Sequence, residues 1–137
     1  MKLSTKGRYG MRFMFELALG YEKKQPILLR EIAENQGISL KYLEQIVMLL
    51  RNSGLIRSIR GAKGGYILAK SPDKIKLSEV FVALEGSMDI VDCIKYPESC
   101  NKADDCITRD IWESISEKIK EFLSSITLED LRNKRKE

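Results

Sequence analysis

The sequence predicts a mainly α-helical fold with one small β-hairpin, arranged as a winged helix-turn-helix followed by a long dimerisation helix. Three observations predict it: two short helical segments joined by a glycine turn, a basic glycine-containing hairpin directly after them, and a long apolar stripe near the end. We therefore divide the chain into a winged helix-turn-helix unit, residues 1–76, and a second part, residues 77–137. The second part holds a cysteine loop (87–106), the long helix (107–126) and a short last helix.

The two parts carry opposite net charge. Residues 1–76 contain 15 Lys or Arg against 6 Asp or Glu, a net charge of +9, whereas residues 77–137 contain 9 against 14, a net charge of −5. A basic surface favours a polyanionic partner, because neutralising phosphates releases condensed counterions. The acidic part would be repelled by that partner and needs another role. For the imbalance alone, a solvated lysine-rich surface is the alternative explanation.

The first two helices are predicted from apolar spacing. A stripe over residues 6–21 consists of Phe13, Met14, Leu17, Ala18 and Tyr21, and we expect that face to be buried. Gly20 and Pro26 mark its end. A shorter stripe, Leu29, Ile32 and Ala33, predicts a second helix that ends at Gly37 and has no polar N-cap, because Leu28 stands at that position.

The third helix begins after Ser39, a good N-cap, and has two distinct faces. The buried face is predicted to carry Leu43, Ile46, Val47 and Leu50. The opposite face carries Lys41, Glu44, Gln45, Met48 and Arg51. By spacing, the second and third helices form a helix-turn-helix whose third helix would be the recognition helix, although paired helices with a glycine turn also occur in all-α cores.

A β-hairpin is predicted over residues 55–60 and 66–70, two runs rich in Ile, Leu and Tyr. Gly61, Gly64 and Gly65 allow its tip to lie close against a sugar-phosphate surface. Arg57, Arg60 and Lys63 place positive charge on this short span, which favours a DNA-contacting wing over a connecting turn.

The second part begins after a break at residues 71–73. We predict a helix over residues 77–84, a loop without periodicity over 87–106, and a long helix from Ile107. Its stripe consists of Ile107, Ile111, Ile115, Ile119, Phe122 and Ile126. Such a stripe either packs on its own domain or forms a dimer seam, and the two half-sites of helix-turn-helix proteins favour the dimer. Thr127 and Asp130 predict a capped last helix, and residues 133–137 are expected to fray.

All three cysteines, Cys93, Cys100 and Cys106, lie within one polar loop rich in Asp and Glu. Buried structural cysteines normally have apolar surroundings, so metal ligation is the better interpretation. Thiolates suit an iron-sulfur cluster or zinc, but three do not complete either site. The chain has no histidine, so the fourth ligand is an oxygen donor such as Asp92, Asp104, Asp105 or Asp110, a group of a partner chain, or an exogenous molecule. Direct thiol oxidation is the alternative.

The sequence argues against several other classes. It has no signal-peptide pattern and no stretch of 18 or more apolar residues, so we expect a cytoplasmic protein without a membrane partner. In that reducing compartment, we expect the odd number of cysteines to serve as free thiols or as metal ligands. The sequence has no histidine, nucleophile motif, phosphate-binding loop or paired-carboxylate signature. We therefore do not expect an enzyme with a small-molecule substrate.

Four segments together resemble the IscR-type winged-helix transcriptional regulators, a family that also includes NsrR and CymR. They are LSTKGRYGMRFMFELAL, GISLKYLEQIVMLLRNSGLIRSIRGAKGGYILAK, the cysteine loop and ITLEDL. The resemblance implies a homodimeric transcription factor with a long crossing helix and an iron-sulfur cluster, of the [2Fe-2S] type in IscR-like members. It places the cluster ligands at Cys93, Cys100 and Cys106. It places the DNA-contacting positions at Ser39, Lys41, Tyr42, Glu44, Gln45 and Arg60.

The sequence departs from this pattern at Arg109, where IscR-like members have histidine three residues after the last cysteine. The fourth ligand, the cluster type, the operator, and whether the cluster strengthens or weakens DNA binding stay open. The leading hypothesis is a cluster-sensing repressor of iron-sulfur assembly or related genes. The alternatives are a thiol-based redox or cysteine-metabolism repressor without a cluster, and a cluster carrier that docks onto proteins.

Overall fold

The computed structural model describes residues 2–136. The helices and strands, in chain order, are α1 (Thr5–Leu19), α2 (Leu29–Gln36), α3 (Leu40–Asn52), β1 (Ile56–Ile59), β2 (Gly65–Leu68), α4 (Leu77–Glu85), α5 (Asp92–Lys95), α6 (Ile107–Ser124) and α7 (Leu128–Lys136). The predicted mainly helical fold with one small hairpin is confirmed. Within the described residues, no helix is long and apolar enough to span a membrane.

Helix α1 begins where the side chain of Ser4 accepts a hydrogen bond from the Gly7 backbone N–H (2.9 Å). Phe13, Met14 and Leu17 of the predicted stripe are buried, as expected. The expectation for Tyr21 is wrong: the helix ends at Gly20, and Tyr21 starts a separate 3-10 turn with 37% of its surface exposed. The change of helix type rotates Tyr21 off the buried stripe.

The helix-turn-helix forms as the sequence predicts. Helix α2 has no side-chain N-cap at Leu28, and it ends at Gly37, whose φ of 66° is open to glycine at little cost. Two residues later the Ser39 hydroxyl accepts a hydrogen bond from the Tyr42 N–H (3.1 Å) and starts α3. The predicted buried face of α3 is confirmed; its members are Leu43, Ile46, Val47 and Leu50.

The wing is an antiparallel hairpin in which Ile56 pairs with Leu68 and Ile59 pairs with Gly65. Its turn is closed by a hydrogen bond from the Gly64 N–H to the Gly61 carbonyl (2.9 Å). Ile27 and Tyr66 exchange backbone hydrogen bonds of 3.0 and 2.9 Å, so the segment before α2 extends the sheet by one bridge. The end of β2 next to the turn is therefore held by the segment that leads into the helix-turn-helix.

One hydrophobic core crosses residue 76. Phe13 and Met14 of α1 share it with Val80 and Leu84 of α4 and with Leu128 of α7. Residues 76 and 127 form an isolated bridge, in which the Leu77 N–H donates to the Ile126 carbonyl (2.9 Å). The boundary predicted after residue 76 therefore separates the two charged parts, while the packing is continuous across it.

Two expectations for the second part are corrected by the structure. Residues 87–106 are not simply a loop, because they contain α5 and two 3-10 turns, at Pro97–Ser99 and Ala103–Asp105. The tail is helical as far as Lys136, where α7 ends, and is not frayed; Glu137 lies outside the described residues.

The predicted cap of the last helix is confirmed. The Thr127 N–H donates to the Asp130 carboxylate (2.9 Å), and the Asp130 N–H donates to the Thr127 hydroxyl (3.2 Å). Arg132 then ties α7 to Glu22 (3.2 Å).

Candidate nucleic-acid interface and cysteine loop

The outward face of α3 is a solvent-exposed row of polar and charged side chains. Lys41, Glu44, Gln45 and Arg51 are all exposed on it, and Met48 lies among them with 58% of its surface exposed. This face is opposite the one that α3 packs on the core. The helix can therefore approach another molecule with the whole row without disturbing its own packing.

Ser39 and Tyr42 mark the N-terminal end of this row. The Ser39 hydroxyl oxygen accepts the N-cap hydrogen bond from the Tyr42 N–H, and its O–H remains free to donate. Tyr42 is only partly exposed, because its ring packs edge-on against Tyr9 of α1, with ring centroids 6.4 Å apart. Tyr42 thus lies on the flank of α3 that faces α1.

This contact with α1 brings in two arginines that sequence reasoning did not assign to the surface. The guanidinium carbons of Arg8 and Arg12 lie 6.0 and 5.6 Å from the centroid of the Tyr9 ring. They place positive charge beside Tyr9, the residue whose ring contacts Tyr42 of α3. The only signal in the sequence was the basic charge of the N-terminal part, which does not say where on the folded surface the charge will lie.

On the other flank of α3, the wing contributes Arg57, Arg60 and Lys63, all of them exposed. Arg60 and Lys63 lie in the turn between the strands, whereas Arg57 lies within β1 and lines a small cavity with Tyr21 and Lys24. Across residues 2–136, none of these three basic side chains forms a salt bridge. Their charges are therefore available to an anionic partner.

The cysteine loop follows α4 in the chain, whereas α2 and α3 of the candidate interface precede it. The loop supplies three free thiols. Cys93 and Cys106 are partly exposed and Cys100 is exposed. In the part of the chain that the structure describes, no three Cys, Asp or Glu side chains are gathered closely enough to hold a metal ion. The donor set fits a cluster in its chemistry, because thiolates are the usual cluster ligands, but the loop must close for the three thiols to converge.

Cys106 stands directly before the first residue of α6, as its N-cap. A hydrogen bond with the Thr108 hydroxyl (3.2 Å) and one from the Arg109 backbone N–H lower the pKa of the Cys106 thiol. The thiolate, which is the form that binds metal, is thereby favoured. Thr108 is a further residue that sequence reasoning did not single out.

Arg109 connects the two ends of the loop. Its Nη2 donates to the Cys93 carbonyl (3.4 Å), and its Nε is buried without a hydrogen-bond partner among residues 2–136. Burying a donor without a partner costs folding free energy, which the other contacts of the Arg109 side chain must offset. Arg109 therefore holds Cys93 near the start of α6.

The segment that enters the loop is fastened to the middle of α6. The buried hydroxyl of Ser116 accepts a hydrogen bond from the Ile90 N–H (3.1 Å), and Lys120 forms a salt bridge with Asp89 (2.9 Å). The hydrogen bond from Lys120 is also the main cause that lowers the pKa of the Asp89 carboxyl. Both ends of the cysteine loop are thus attached to the same helix.

The apolar stripe of α6 is exposed at its two ends and partly buried in its middle. Ile107, Ile111 and Phe122 are 86%, 54% and 64% exposed, whereas Ile115 and Ile119 are partly buried and line a cavity with Phe81 of α4. Ser116 is buried, and Leu123 packs against the hydrophobic core. Large exposed apolar side chains on one helix usually mark an interaction surface.

Comparison with known proteins places these features in a family. Residues 3–134 match the Rrf2 family model, described as "Iron-dependent Transcriptional regulator". The chain is 44% identical over 133 residues to the HTH-type transcriptional regulator IscR of Photorhabdus laumondii subsp. laumondii, covering 97% of this chain and 80% of the relative. It is 42% identical to the IscR of Pectobacterium atrosepticum, with the same two coverages.

Two solved structures are similar along nearly their whole length. IscR of T. potens is 41% identical with a TM-score of 0.80, covering 98% of this chain and 88% of that one. CymR (YrzC) of B. subtilis, described as the global cysteine regulator, is 44% identical with a TM-score of 0.78, covering 96% and 95%. These relatives are named as transcriptional regulators, which agrees with the exposed face of α3 and the basic wing and excludes an enzyme. The chain belongs to the Rrf2 family and is a DNA-binding transcriptional regulator.

Proposed function

We propose that the chain acts as a homodimeric repressor that senses iron-sulfur status through a cluster in the Cys93, Cys100 and Cys106 loop and controls iron-sulfur assembly or related genes. The observation that carries the proposal is the attachment of both ends of this loop to α6, the helix that exposes Ile107, Ile111 and Phe122. Residues 1–76 would bind the operator, and residues 77–137 would bind the cluster and the second subunit.

On the DNA side, we propose that each subunit lays α3 in a major groove. Lys41 and Gln45 are placed to contact base edges, and Glu44 to accept from the amino group of cytosine. Ser39, Tyr42, Arg51, Arg57 and Lys63 add contacts to the duplex, mainly to phosphates. Arg60, at the wing tip, enters the adjacent minor groove. These side chains are exposed, except Tyr42, which is partly exposed, and within residues 2–136 the wing side chains form no salt bridges; both observations support this arrangement.

The role of Arg60 predicts a sequence-dependent loss of affinity. We expect Arg60→Ala to weaken binding to the operator by roughly 1–3 kcal/mol and binding to random duplex by less. Lys134→Ala is the control, because it removes the same charge from an exposed residue of α7, a helix that packs on α1. Fluorescence anisotropy measured as a function of salt concentration gives both affinities. If Arg60→Ala weakens both DNAs equally, Arg60 contacts phosphate and does not read a groove.

The apolar stripe of α6 supports the proposed dimer. Helix α6 has 18 residues and is therefore about 27 Å long. Two copies crossing along this stripe would bury Ile107, Ile111 and Phe122 against each other, and the two-fold axis would set the distance between the recognition helices. The resulting spacing of two half-sites is the geometry that an operator with two-fold symmetry requires.

The dimer seam predicts that a charge at its centre separates the subunits. We expect Ile111→Glu to raise the dimer dissociation constant by roughly 100-fold or more, because each dimer would bury two unpaired carboxylates. Sedimentation at micromolar concentration should give about twice the chain mass of 15.7 kDa for the unaltered protein and the chain mass for the variant. Met48→Glu, a similar change at an exposed apolar residue of α3, should stay dimeric. A monomeric unaltered protein would contradict the proposal.

On the sensing side, the three thiols are the proposed cluster ligands, and the [2Fe-2S] type is proposed from the likeness to IscR. A bound cluster supplies exchangeable iron that responds to oxidants and to iron supply. The residues of this chain do the rest: Arg109 holds Cys93 near Cys106, and Ser116 and Lys120 hold the entry of the loop on α6. The fourth ligand in this proposal is an acidic oxygen, a partner group or an exogenous molecule.

Closing the loop and binding DNA are coupled if the loop shifts α6. By linkage, a bound cluster changes the affinity for the operator by the same factor by which bound operator changes the affinity for the cluster. A coupling of about 1–3 kcal/mol is sufficient for a switch. Equal operator affinity of the loaded and the unloaded protein would contradict the switch and leave DNA binding untouched.

A second candidate is a repressor that responds through its thiols without a cluster. The likeness to the solved CymR structure supports it, and so do the separated thiols of the described residues. The lowered pKa of Cys106 makes this thiol the first expected to be oxidised. Iron and sulfide analysis of anaerobically purified protein separates the two candidates.

A further inference from the structure

An exposed groove of about 410 Å³ lies between the start of α2, the start of α3 and the wing. Leu29 and Tyr66 line it and are partly buried. The lining also includes three exposed large apolar side chains: Leu28, Leu40 and Ile59. They are 47%, 39% and 40% exposed, and each comes from a different element. A patch built jointly by three elements and left open to water indicates a surface for a partner.

The groove is continuous with the proposed DNA surface. Leu40 is the first residue of α3, and Glu44, one turn later, lines the same groove. On a helix with 3.6 residues per turn, these two residues share the flank of α3 next to the outward row that begins at Lys41. Ser58 and Ile59 of β1 form the opposite wall. A duplex that contacts both α3 and the wing must therefore cover the groove.

The charges in the lining bear on which part of the duplex can lie there. One carboxylate, Glu44, and one guanidinium, Arg30, line the groove, so the two charges balance and the lining has no net attraction for phosphates. The Glu44 carboxylate can accept a hydrogen bond from a base amino group. The base edges therefore fit this groove better than the phosphate backbone does. Among the groups that base pairs present in the major groove, the apolar one is the 5-methyl of thymine.

We propose that Leu40 contacts the 5-methyl group of one thymine in each operator half-site and makes the protein select that base. The inference rests on the proposed placement of α3 in the major groove. It assigns the contact to Leu40 and not to Met48, because the N-terminal residues of a recognition helix are the ones that reach base edges. Leu28 and Ile59 complete the apolar wall behind the methyl group.

The experiment removes the methyl group from the DNA. The operator is first selected from random duplexes with the unaltered protein, and each thymine is then replaced in turn by deoxyuridine, which keeps the hydrogen-bonding groups and lacks only the methyl. We expect one position per half-site at which uracil weakens binding about 4-fold, the effect of one buried carbon. Leu40→Ala should bind the thymine and uracil operators equally.

Two variants make the test specific. Met48→Ala, on the same helix and more exposed, should keep the full uracil effect. Leu40→Met, which keeps an apolar side chain of similar size, should keep part of it. Thermal melts of all variants show that α3 is folded, as expected for a partly exposed residue that lies outside the core cluster.

Two results would overturn the inference while the proposed function stands. One is a selected operator in which no thymine shows a methyl effect that depends on Leu40. The other is an equal loss for Leu40→Ala on the thymine and uracil operators, which would place Leu40 against a deoxyribose. Failure to select any preferred sequence would instead overturn the proposed operator binding, and with it the inference.

Discussion

Cys93→Ala, Cys100→Ala and Cys106→Ala are each expected to abolish stoichiometric binding of iron and sulfide. The chain has three cysteines and no histidine, so it has no nitrogen or spare thiol ligand to replace a lost one. A cluster held by only two thiolates, with oxygen donors in the remaining positions, would be lost during purification. Anaerobic purification, absorption spectra, and assays of iron, sulfide and zinc measure the effect.

The control for this prediction is Thr108→Val. Its hydroxyl lies 3.2 Å from the Cys106 sulfur but is not a proposed ligand, so this variant should keep the iron and sulfide. The metal-free forms should unfold within about 0.5 kcal/mol of one another, because none of the three cysteines is buried. A colourless, metal-free unaltered protein would exclude the cluster and favour the thiol-based repressor. Unchanged iron and sulfide in one cysteine variant would remove that residue from the ligand set.

Gly65→Ala is expected to cost roughly 3–5 kcal/mol of folding free energy. The φ of Gly65 is 148°, a conformation that side chains rarely adopt, and a Cβ there would lie 2.4 Å from the Ile27 carbonyl oxygen. The neighbouring atom is backbone, so it cannot move aside without breaking the bridge between Ile27 and Tyr66. The wing would then lose its attachment to the helix-turn-helix. Urea-induced unfolding measures the change in stability.

Gly61→Ala is the matched control in the same hairpin. Gly61 also has a positive φ, 114°, but a Cβ there meets no heavy atom within 4 Å. Its cost is therefore conformational only, about 1–2 kcal/mol. Operator affinity should fall further in the Gly65 variant, because Arg60 and Lys63 would lose their fixed position. Equal stabilities of the two variants would show that the contact with Ile27 does not hold the wing.

Local chemistry made several parts of this fold predictable. The N-cap at Ser39 and the reciprocal cap of Thr127 and Asp130 depend on residues three apart, so sequence spacing is sufficient to find them. The buried face of α3 follows in the same way from its helical period. The single-turn helix α5 was missed because four residues are too few to show a period.

The candidate sites were predictable in composition but not in geometry. Exposed charges on α3 and at the wing tip follow from residue type and period. The approach of Arg8 and Arg12 to Tyr42 through Tyr9 depends on how α1 packs on α3, which no local pattern encodes. The hold of Arg109 on Cys93 joins residues 16 positions apart and depends equally on the folded loop.

By itself, the sequence determined the order of the elements, the helix caps, the basic wing and the clustering of the three cysteines, because all of these follow from short-range spacing and residue chemistry. Only the tertiary structure decided which face of α6 is used inside the chain. Ser116 and Lys120 fasten the cysteine loop to one side of the helix, and Ile107, Ile111 and Phe122 at the ends of the apolar stripe stay exposed. A period of 3.6 residues shows that a helix has two faces, whereas the choice of face depends on what the rest of the chain places against it.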